Sequence, residues 1–451
     1  MTEIQWGDTF VGYCKIAKYI EAKDTFNHAL DILPSNNQSQ TQKKAEILNS
    51  IGLVAKKRSD YDHALRAYNE ALNLVSTDSN LWPDIVFNLA DIHRKKGNYK
   101  ESHKLYSLAL QQMELLYGQN HPSTADIMNN LGMLLKKEGK YNEALNYYKQ
   151  ALKIYKHYYC PQHSSIGICL TNMGDIYRKQ SNFQMAEVQY MNVLIILERT
   201  LGRNHIEVAD LLNSIGLVLK KQADYDGAEA NYKRAIQIAH DTFGHDQGHY
   251  KLGTYYNNLA DLDRKRTKFA DALQLYQRAL THIEKTLGLE HSEAAEILHN
   301  IGQVQHQLGN YREAIDYIKR ALVIIQKEFG DEHYKYGMFL NSLGLAYAMI
   351  NNYESAYTHL TKALQILRSS LGDDHIEVCD VYSYLGDCCM KIVVEMGNPA
   401  QNRHEQKSKL QEAKRCFTEA QRIVKATFGE DHTKAKQFLS LLFIIENYDS
   451  L

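Results

Sequence analysis

The chain has almost no net charge, since 52 Lys and Arg stand against 53 Asp and Glu over 451 residues. That balance gives no global pull toward nucleic acid or an anionic membrane. The seven cysteines are odd in number and carry no Cys-x-x-Cys spacing, so neither a disulfide framework nor a zinc ribbon is indicated, and buried thiols in a reducing compartment fit better. No stretch approaches the roughly 20 apolar residues of a membrane span. The opening MTEIQWGD lacks the basic-then-apolar layout of a secretory leader. A cytoplasmic protein with no membrane partner is the expectation. A nucleophile elbow, a phosphate loop, HExxH and a dinucleotide fingerprint are also missing. The sequence therefore predicts no catalytic residues, no cofactor and no enzyme.

What is present is self-similarity. In the stretch Leu201 to Gly244, two helix-period segments flank a short polar turn, and the chain repeats this unit from end to end. Aligned on Gly216, small residues recur at Gly52, Ala90, Gly132, Gly174, Ala260, Gly302, Gly344 and Gly386, mostly 42 residues apart. A degenerate first unit places Phe10 in the same register. A repeat this long and regular predicts a solenoid, in which stacked units share one continuous core. Numbering by register, repeat 1 holds Phe10, repeat 2 Gly52, repeat 6 Gly216 and repeat 10 Gly386.

Each repeat reads as a first helix, a turn, and an aromatic residue opening a second helix, such as Tyr141 or Tyr225. A small residue follows three positions later (Ala144, Ala228), then a tyrosine (Tyr148, Tyr232) and another alanine (Ala151, Ala235). Small residues let helices approach while large ones fill the space between, so these tyrosines are read as core. The second helix usually ends in L/F-G-x-x-H, as at Gly202/His205 and Gly288/His291, and Gly118/His121 matches in its glycine and histidine, with glycine supplying a left-handed C-cap. The unit around Cys160 lacks that glycine but keeps His163. Residues 1–36 are expected to form the degenerate first repeat and 37–392 the array. Residues 393–409, around MGNPAQNRHEQKS, are expected to be an insertion loop. Residues 410–451 should complete repeat 10, with Ala413, Phe417 and Ala420 in register, and add a capping helix.

These offsets resemble the tetratricopeptide repeat, and the 42-residue period with LGxxH resembles the longer repeat of the kinesin light chain family. Segment 118–151, GQNHPSTADIMNNLGMLLKKEGKYNEALNYYKQA, carries the likeness most closely. The resemblance implies an all-α, right-handed superhelical solenoid of about ten helix-turn-helix repeats with a C-terminal capping helix. It also implies a concave groove in which extended peptides lie. Kinesin light chains carry an N-terminal heptad coiled coil that binds the motor's heavy chain. Here the sequence runs straight into repeats, so motor assembly is not implied. Trafficking or cytoskeletal assembly, including ciliary, is the setting the likeness suggests.

Helical geometry puts Asp210, Asn213, Ser214, Leu217, Lys220 and Lys221 on the stripe opposite the core face. Along the array that stripe forms two ladders. One is asparagine: Asn49, Asn88, Asn129, Asn130, Asn172, Asn213, Asn257, Asn258, Asn300 and Asn341. An amide both donates and accepts, so a row of them suits an extended backbone. The plainer alternative is that they pair between repeats. The other ladder is basic: Lys56/Lys57, Arg94/Lys95, Lys136/Lys137, Arg178/Lys179, Lys220/Lys221 and Arg264/Lys265, ending before His306 and Ala348. Cations on one inner wall would attract an acidic segment. Asp91, Asp175 and Asp261 precede the three arginines by three residues and are placed to hold them, which leaves the lysine pairs as the stronger candidates. The expected partner is another protein, met through an extended acidic segment. A nucleic-acid-binding solenoid and a peptide-sensing regulator are the alternatives. The first is disfavoured by neutral charge and by the scarcity of inner-stripe aromatics.

Repeats also alternate between Lys-Lys and Asp/Arg-Lys types, and segment 48–64 closely resembles 212–228, as a four-repeat duplication would produce. Equivalent LGxxH histidines stand at least a helix spacing of roughly 8–10 Å apart, too far to share a zinc ion. They are read as turn residues. His240, His245, Asp246 and His249 form one local cluster with metal-compatible spacing but no supporting motif, and no metal is expected.

Overall fold

The fold was analysed in a computed structural model that describes residues 38–58, 60–244, 248–397, 399–430 and 432–448. The first-repeat residues Tyr19, Phe26 and Pro34 lie outside the described residues. The chain divides into two compact units, Met1–Arg203 and Asn204–Leu451. The boundary falls at the start of repeat 6, the repeat whose sequence duplicates repeat 2.

Every described element is a helix. Unit 1 contains α1 (Gln38–Lys57), α2 (Tyr61–Leu74), α3 (Trp82–Lys95), α4 (Tyr99–Tyr117), α5 (Pro122–Lys137), α6 (Tyr141–Tyr158), α7 (Ser164–Lys179) and α8 (Phe183–Thr200). Unit 2 begins with α9 (Ile206–Lys221), α10 (Tyr225–Phe243), α11 (Tyr250–Lys265), α12 (Phe269–Thr286), α13 (Ser292–Gln307) and α14 (Tyr311–Phe329). It continues with α15 (Tyr334–Met349), α16 (Tyr353–Leu371), α17 (Ile376–Glu395), α18 (Pro399–Phe428) and α19 (Thr433–Tyr448). Up to α17 the odd-numbered helices are the first helices of the repeats. Each packs most heavily on its own second helix and then on the second helix before it within the unit.

The register glycine explains the tight pairing. A Cβ on Gly216 would lie 2.6 Å from the Tyr232 ring, closer than any real contact. Tyr68, Tyr106, Tyr148, Tyr190, Tyr232 and Tyr276 are all fully buried in this position, followed by Ile318, Leu360 and Phe417 in repeats 8, 9 and 10. At the helix ends Gly118 holds φ +87° and Gly372 φ +91°, the left-handed conformation that an L side chain resists.

Within each unit consecutive first helices pack on one another, whereas consecutive second helices show no comparable packing. The stripe on the first helices is therefore the inner wall, and the second helices face outward.

One expectation is corrected. Residues 393–409 are not a loop: α17 runs to Glu395 and α18 already starts at Pro399. Proline is favoured at a first helical position, and the residues after it are mostly good helix formers. The extension is tied down by Gln406, whose side-chain N–H donates to the Gly397 carbonyl at 3.0 Å. Beyond it Leu410, Ala413, Phe417 and Ala420 are buried in the expected register, and α19 packs on α18 through Ala435, Phe438 and Ile445.

Candidate peptide-binding groove

The asparagine ladder lies on the inner wall, and its amides bond one another. Asn88 Nδ2 donates to Asn49 Oδ1 at 3.1 Å, Asn258 to Asn213 at 2.9 Å and Asn300 to Asn257 at 3.1 Å. In each pair the acceptor sits three residues before its register residue and the donor two before the next, so the ladder climbs with a one-residue slip. His299 and Ser342 continue it at 2.9 Å. Asn130 instead donates to the Asp126 carbonyl at 2.8 Å. Asn129 is buried with its nearest side-chain partner the Met133 sulfur at 4.0 Å, and Asn341 is half-buried with an unsatisfied Oδ1. The bonded pairs use one N–H and one lone pair each, so part of their capacity survives. Asn88, Asn172 and Asn213 are nevertheless buried, and the accessible amides are Asn49, Asn257, Asn258 and Asn300.

The basic ladder splits into two rows. Its inner lysines are paired between repeats. Lys56 Nζ reaches Asn88 Oδ1 at 3.1 Å and Asp91 Oδ2 at 3.3 Å. Lys136 reaches Asn172 at 2.8 Å and Asp175 at 3.2 Å, and Lys220 reaches Asp261 at 2.7 Å. The expectation that these three lysines lack a partner is thus corrected. A helix-local scan finds acids three or four residues away, whereas these acids sit one repeat on. Asp91 and Asp261 also hold Arg94 and Arg264, as expected, making two Lys–Asp–Arg triads. At Asp175 the second partner is Tyr190, whose hydroxyl donates at 2.8 Å, and Arg178 forms no ion pair among the described residues. Burial alone would raise the Asp91 and Asp261 carboxyls, but Lys56 with Arg94, and Lys220 with Arg264, hold each below the usual range.

The outer row is exposed. Lys95 and Lys179 lean over the Tyr61 and Tyr141 rings of the preceding repeats, at 5.8 and 5.9 Å. Lys57 is exposed as well. Lys137, Lys221 and Lys265 are exposed, and none is in an ion pair among the described residues.

Two features escaped the sequence reading. In each unit, acidic residues stand at the other edge of the first helices, six residues before the register residue. There Asp126 accepts from Tyr155 at 2.6 Å, Asp210 pairs with Lys251 at 2.9 Å, and Glu296 pairs with Lys335. In repeat 10 Asp380 and Asp387 line a cavity of about 490 Å³ with Tyr384, Lys434 and Phe438. Burial raises the Asp387 carboxyl. Asp387 occupies the position of Asp91 and Asp261, but repeat 9 offers Ala348 where a lysine would meet it. That mismatch was the available signal.

A tetratricopeptide repeat family model matches residues 84–157, 167–240, 251–327 and 293–369, and a second one matches 50–114. The chain belongs to the tetratricopeptide repeat family. Solved structures share the TPR fold. A signal transduction ATPase with a tetratricopeptide repeat sensor from Pyrococcus horikoshii is 15% identical, with TM-score 0.58 over 88% of this chain and 55% of that one. The apo form of RapI is 14% identical, with TM-score 0.51 over 63% and 97%. Kinesin light chain-like repeats from Podosopora anserina are 17% identical, with TM-score 0.42 over 47% and 99%. No curated protein matches the sequence significantly. TPR arrays generally mediate protein–protein interaction and are typically non-enzymatic scaffolds. Among the described residues no helix is long and apolar enough to cross a membrane.

The LGxxH histidines of these TPRs have a defined task. His121, His163, His205, His291, His333 and His375 each cap the next helix, Nδ1 accepting the backbone N–H two residues on. His249 caps α11 in the same way, and His240 bonds the Tyr256 hydroxyl at 2.7 Å. The other two members of the metal-compatible cluster, His245 and Asp246, lie outside the described residues. Among those described, no group of metal-ligating side chains is assembled.

Proposed function

We propose that the protein is an interaction scaffold whose inner wall takes an extended, acidic segment of a partner protein. The observation that carries this reading is the outer cation position, where Lys137 of unit 1 and Lys221 and Lys265 of unit 2 stand exposed while the neighbouring inner cations are held in ion pairs. Exposed cations recurring by repeat suit carboxylates spaced along an extended chain. Asn257, Asn258 and Asn300 keep spare amide capacity for its backbone. The kinesin light chain resemblance makes cargo and cytoskeletal adaptors the first partners to test.

The test is binding of an array of extended acidic peptides to the wild type and to Lys137→Gln/Lys221→Gln/Lys265→Gln, at low and physiological salt. The expected result is a loss of roughly tenfold or more in the variant, with salt weakening the wild type. Equal binding by both proteins refutes the groove reading. A preference for single-stranded RNA over the peptides, steeply salt-dependent, would replace it with the nucleic-acid alternative.

A further inference from the structure

The outward stripe of the second helices is polar in every repeat but one. In α6 it reads Glu143, Asn146, Lys149 and Lys153, and elsewhere charged, amide, hydroxyl or small residues fill these positions, with Val323 the lone branched apolar exception. In α8 the same four positions are Met185, Val188, Met191 and Ile195, exposed by 39%, 51%, 45% and 50%. From Met185 to Ile195 the helix rises by about 15 Å. Such residues contribute nothing to the repeat's core, which α8 builds from Ala186, Tyr190, Val193 and Ile196 on its other side.

The stripe runs into a cavity of about 490 Å³ between α6, α7 and α8. Ile195 is shared by both, Leu152, Ile166 and Leu170 form the apolar floor, and Pro161 comes from the turn that lacks the usual glycine. Two departures from the repeat pattern thus meet in one place. The ionisable groups lining the cavity are Lys156 and Arg199, with no carboxylate among them. Lys149 and Lys153 extend the positive edge along α6, and none of these four cations is in an ion pair among the described residues.

The geometry points to a docking site on the outer face of repeat 5 for an amphipathic helix of a partner protein, apolar along one face and acidic along its edge. Anchors at helical spacing match the four-residue stripe, and the cavity accepts one large side chain. Charge decides against a second copy of this chain, because a two-fold pairing would set the same cations against each other. A flat lipid surface would leave the cavity unfilled. This surface is separate from the inner wall and does not depend on peptide binding there.

The probe is a stapled helix of about four turns, leucine-faced and glutamate-edged, with a lysine-edged twin as control. Hydrogen exchange of the full chain reads where it binds. The expected result is slowed exchange in α8, about tenfold weaker binding by Val188→Glu/Ile195→Glu, and reversed preference between the twins in Lys156→Glu/Arg199→Glu. Both substituted apolar sites are polar in other repeats, so circular dichroism should be unchanged. The groove variant Lys137→Gln/Lys221→Gln/Lys265→Gln should bind the probe normally. Equal affinity of the Val188→Glu/Ile195→Glu variant, or no protection of α8, overturns the assignment. So does concentration-dependent dimerisation or binding to phosphatidylserine vesicles that this variant abolishes, since either names a different occupant.

Discussion

Repeats 6 and 7 hold their inner wall together with charge, while repeats 8 and 9, in the same unit, use a ring stack. In the first pair Lys220, Asp261 and Arg264 interlock across the repeat boundary. In the second, His299 stacks on Phe339 with centroids 4.1 Å apart and its Nε2 meets the Ser342 hydroxyl. The replacement is concerted. Where the charges go, the buried tyrosine goes too, and Tyr232 and Tyr276 give way to Ile318 and Leu360. The Tyr190 hydroxyl of repeat 5 bonds Asp175, whereas the buried Tyr232 and Tyr276 hydroxyls have no hydrogen-bond partner among the described residues, a cost the apolar replacements avoid. Repeats of one backbone design thus carry two different interior chemistries.

The strongest way to break the charged version is to remove its anion. Asp261→Ala leaves Lys220, the most buried lysine of the row, and Arg264 facing each other. The expected loss is about 3 kcal/mol, at the low end for a broken buried pair because Asp261 keeps some solvent contact. Adding Lys220→Ala and Arg264→Ala should restore most of it, since an apolar replacement of an ion cluster is often neutral. Urea unfolding of the single and triple variants measures both. If the triple variant is as weak as the single one, the charges do more than neutralise one another.

Acid should separate the two chemistries in the opposite order. His299 is almost fully buried, and burial pushes its pKa down to about 3. The folded protein keeps this ring neutral while the unfolded chain takes up a proton below the ordinary value near 6.5. Stability from this group is therefore complete above about 6.5 and falls as pH drops, by up to about 1.4 kcal/mol per unit until the folded value is reached. Asp91 and Asp261 are held below the usual carboxylate range. Their contribution is full above about 3.9 and is lost only as pH falls through the folded values. Between pH 6.5 and 5 His299 should account for about 2 kcal/mol of lost stability, and His299→Gln should lose measurably less than the wild type. Equal slopes for the two proteins would mean that His299 is solvated or protonated in the folded state.

These two chemistries also mark how far the sequence could be read. Register, helix pairing and core were legible because Gly216, Tyr232 and Ala235 recur at fixed offsets, and each offset has one steric meaning. The ladder residues sit on the first helices at the offsets that the repeat period sets. Their partners were not legible, because Lys56 to Asp91 and Asn49 to Asn88 bridge repeats, and a helical wheel drawn for one helix cannot show which rung meets which. The slip from one asparagine position to the next is the one trace of this pairing that the sequence carries. The α18 extension was hidden for another reason: a Gly-Asn-Pro break signals a turn equally well before a loop or before a new helix.

The smallest expected effect concerns the turn between the two helices of a repeat. There repeats 3, 4 and 8 use Gly97, Gly139 and Gly309 at φ near +80°, whereas repeats 5, 6, 7 and 9 force Ser181, Ala223, Thr267 and Asn351 to φ near +60°. A Cβ in this region costs roughly 1 kcal/mol, and asparagine tolerates it better than alanine. Ala223→Gly should therefore stabilise repeat 6 by somewhat under 1 kcal/mol, part of the relief being returned as unfolded-chain entropy, while Asn351→Gly should change repeat 9 by only a few tenths. Hydrogen exchange resolved by repeat is the suitable measurement, because an array opens locally and a global midpoint averages its parts. A larger gain at Asn351 than at Ala223 would show that the Tyr353 hydroxyl bond to Asn351 strains this turn.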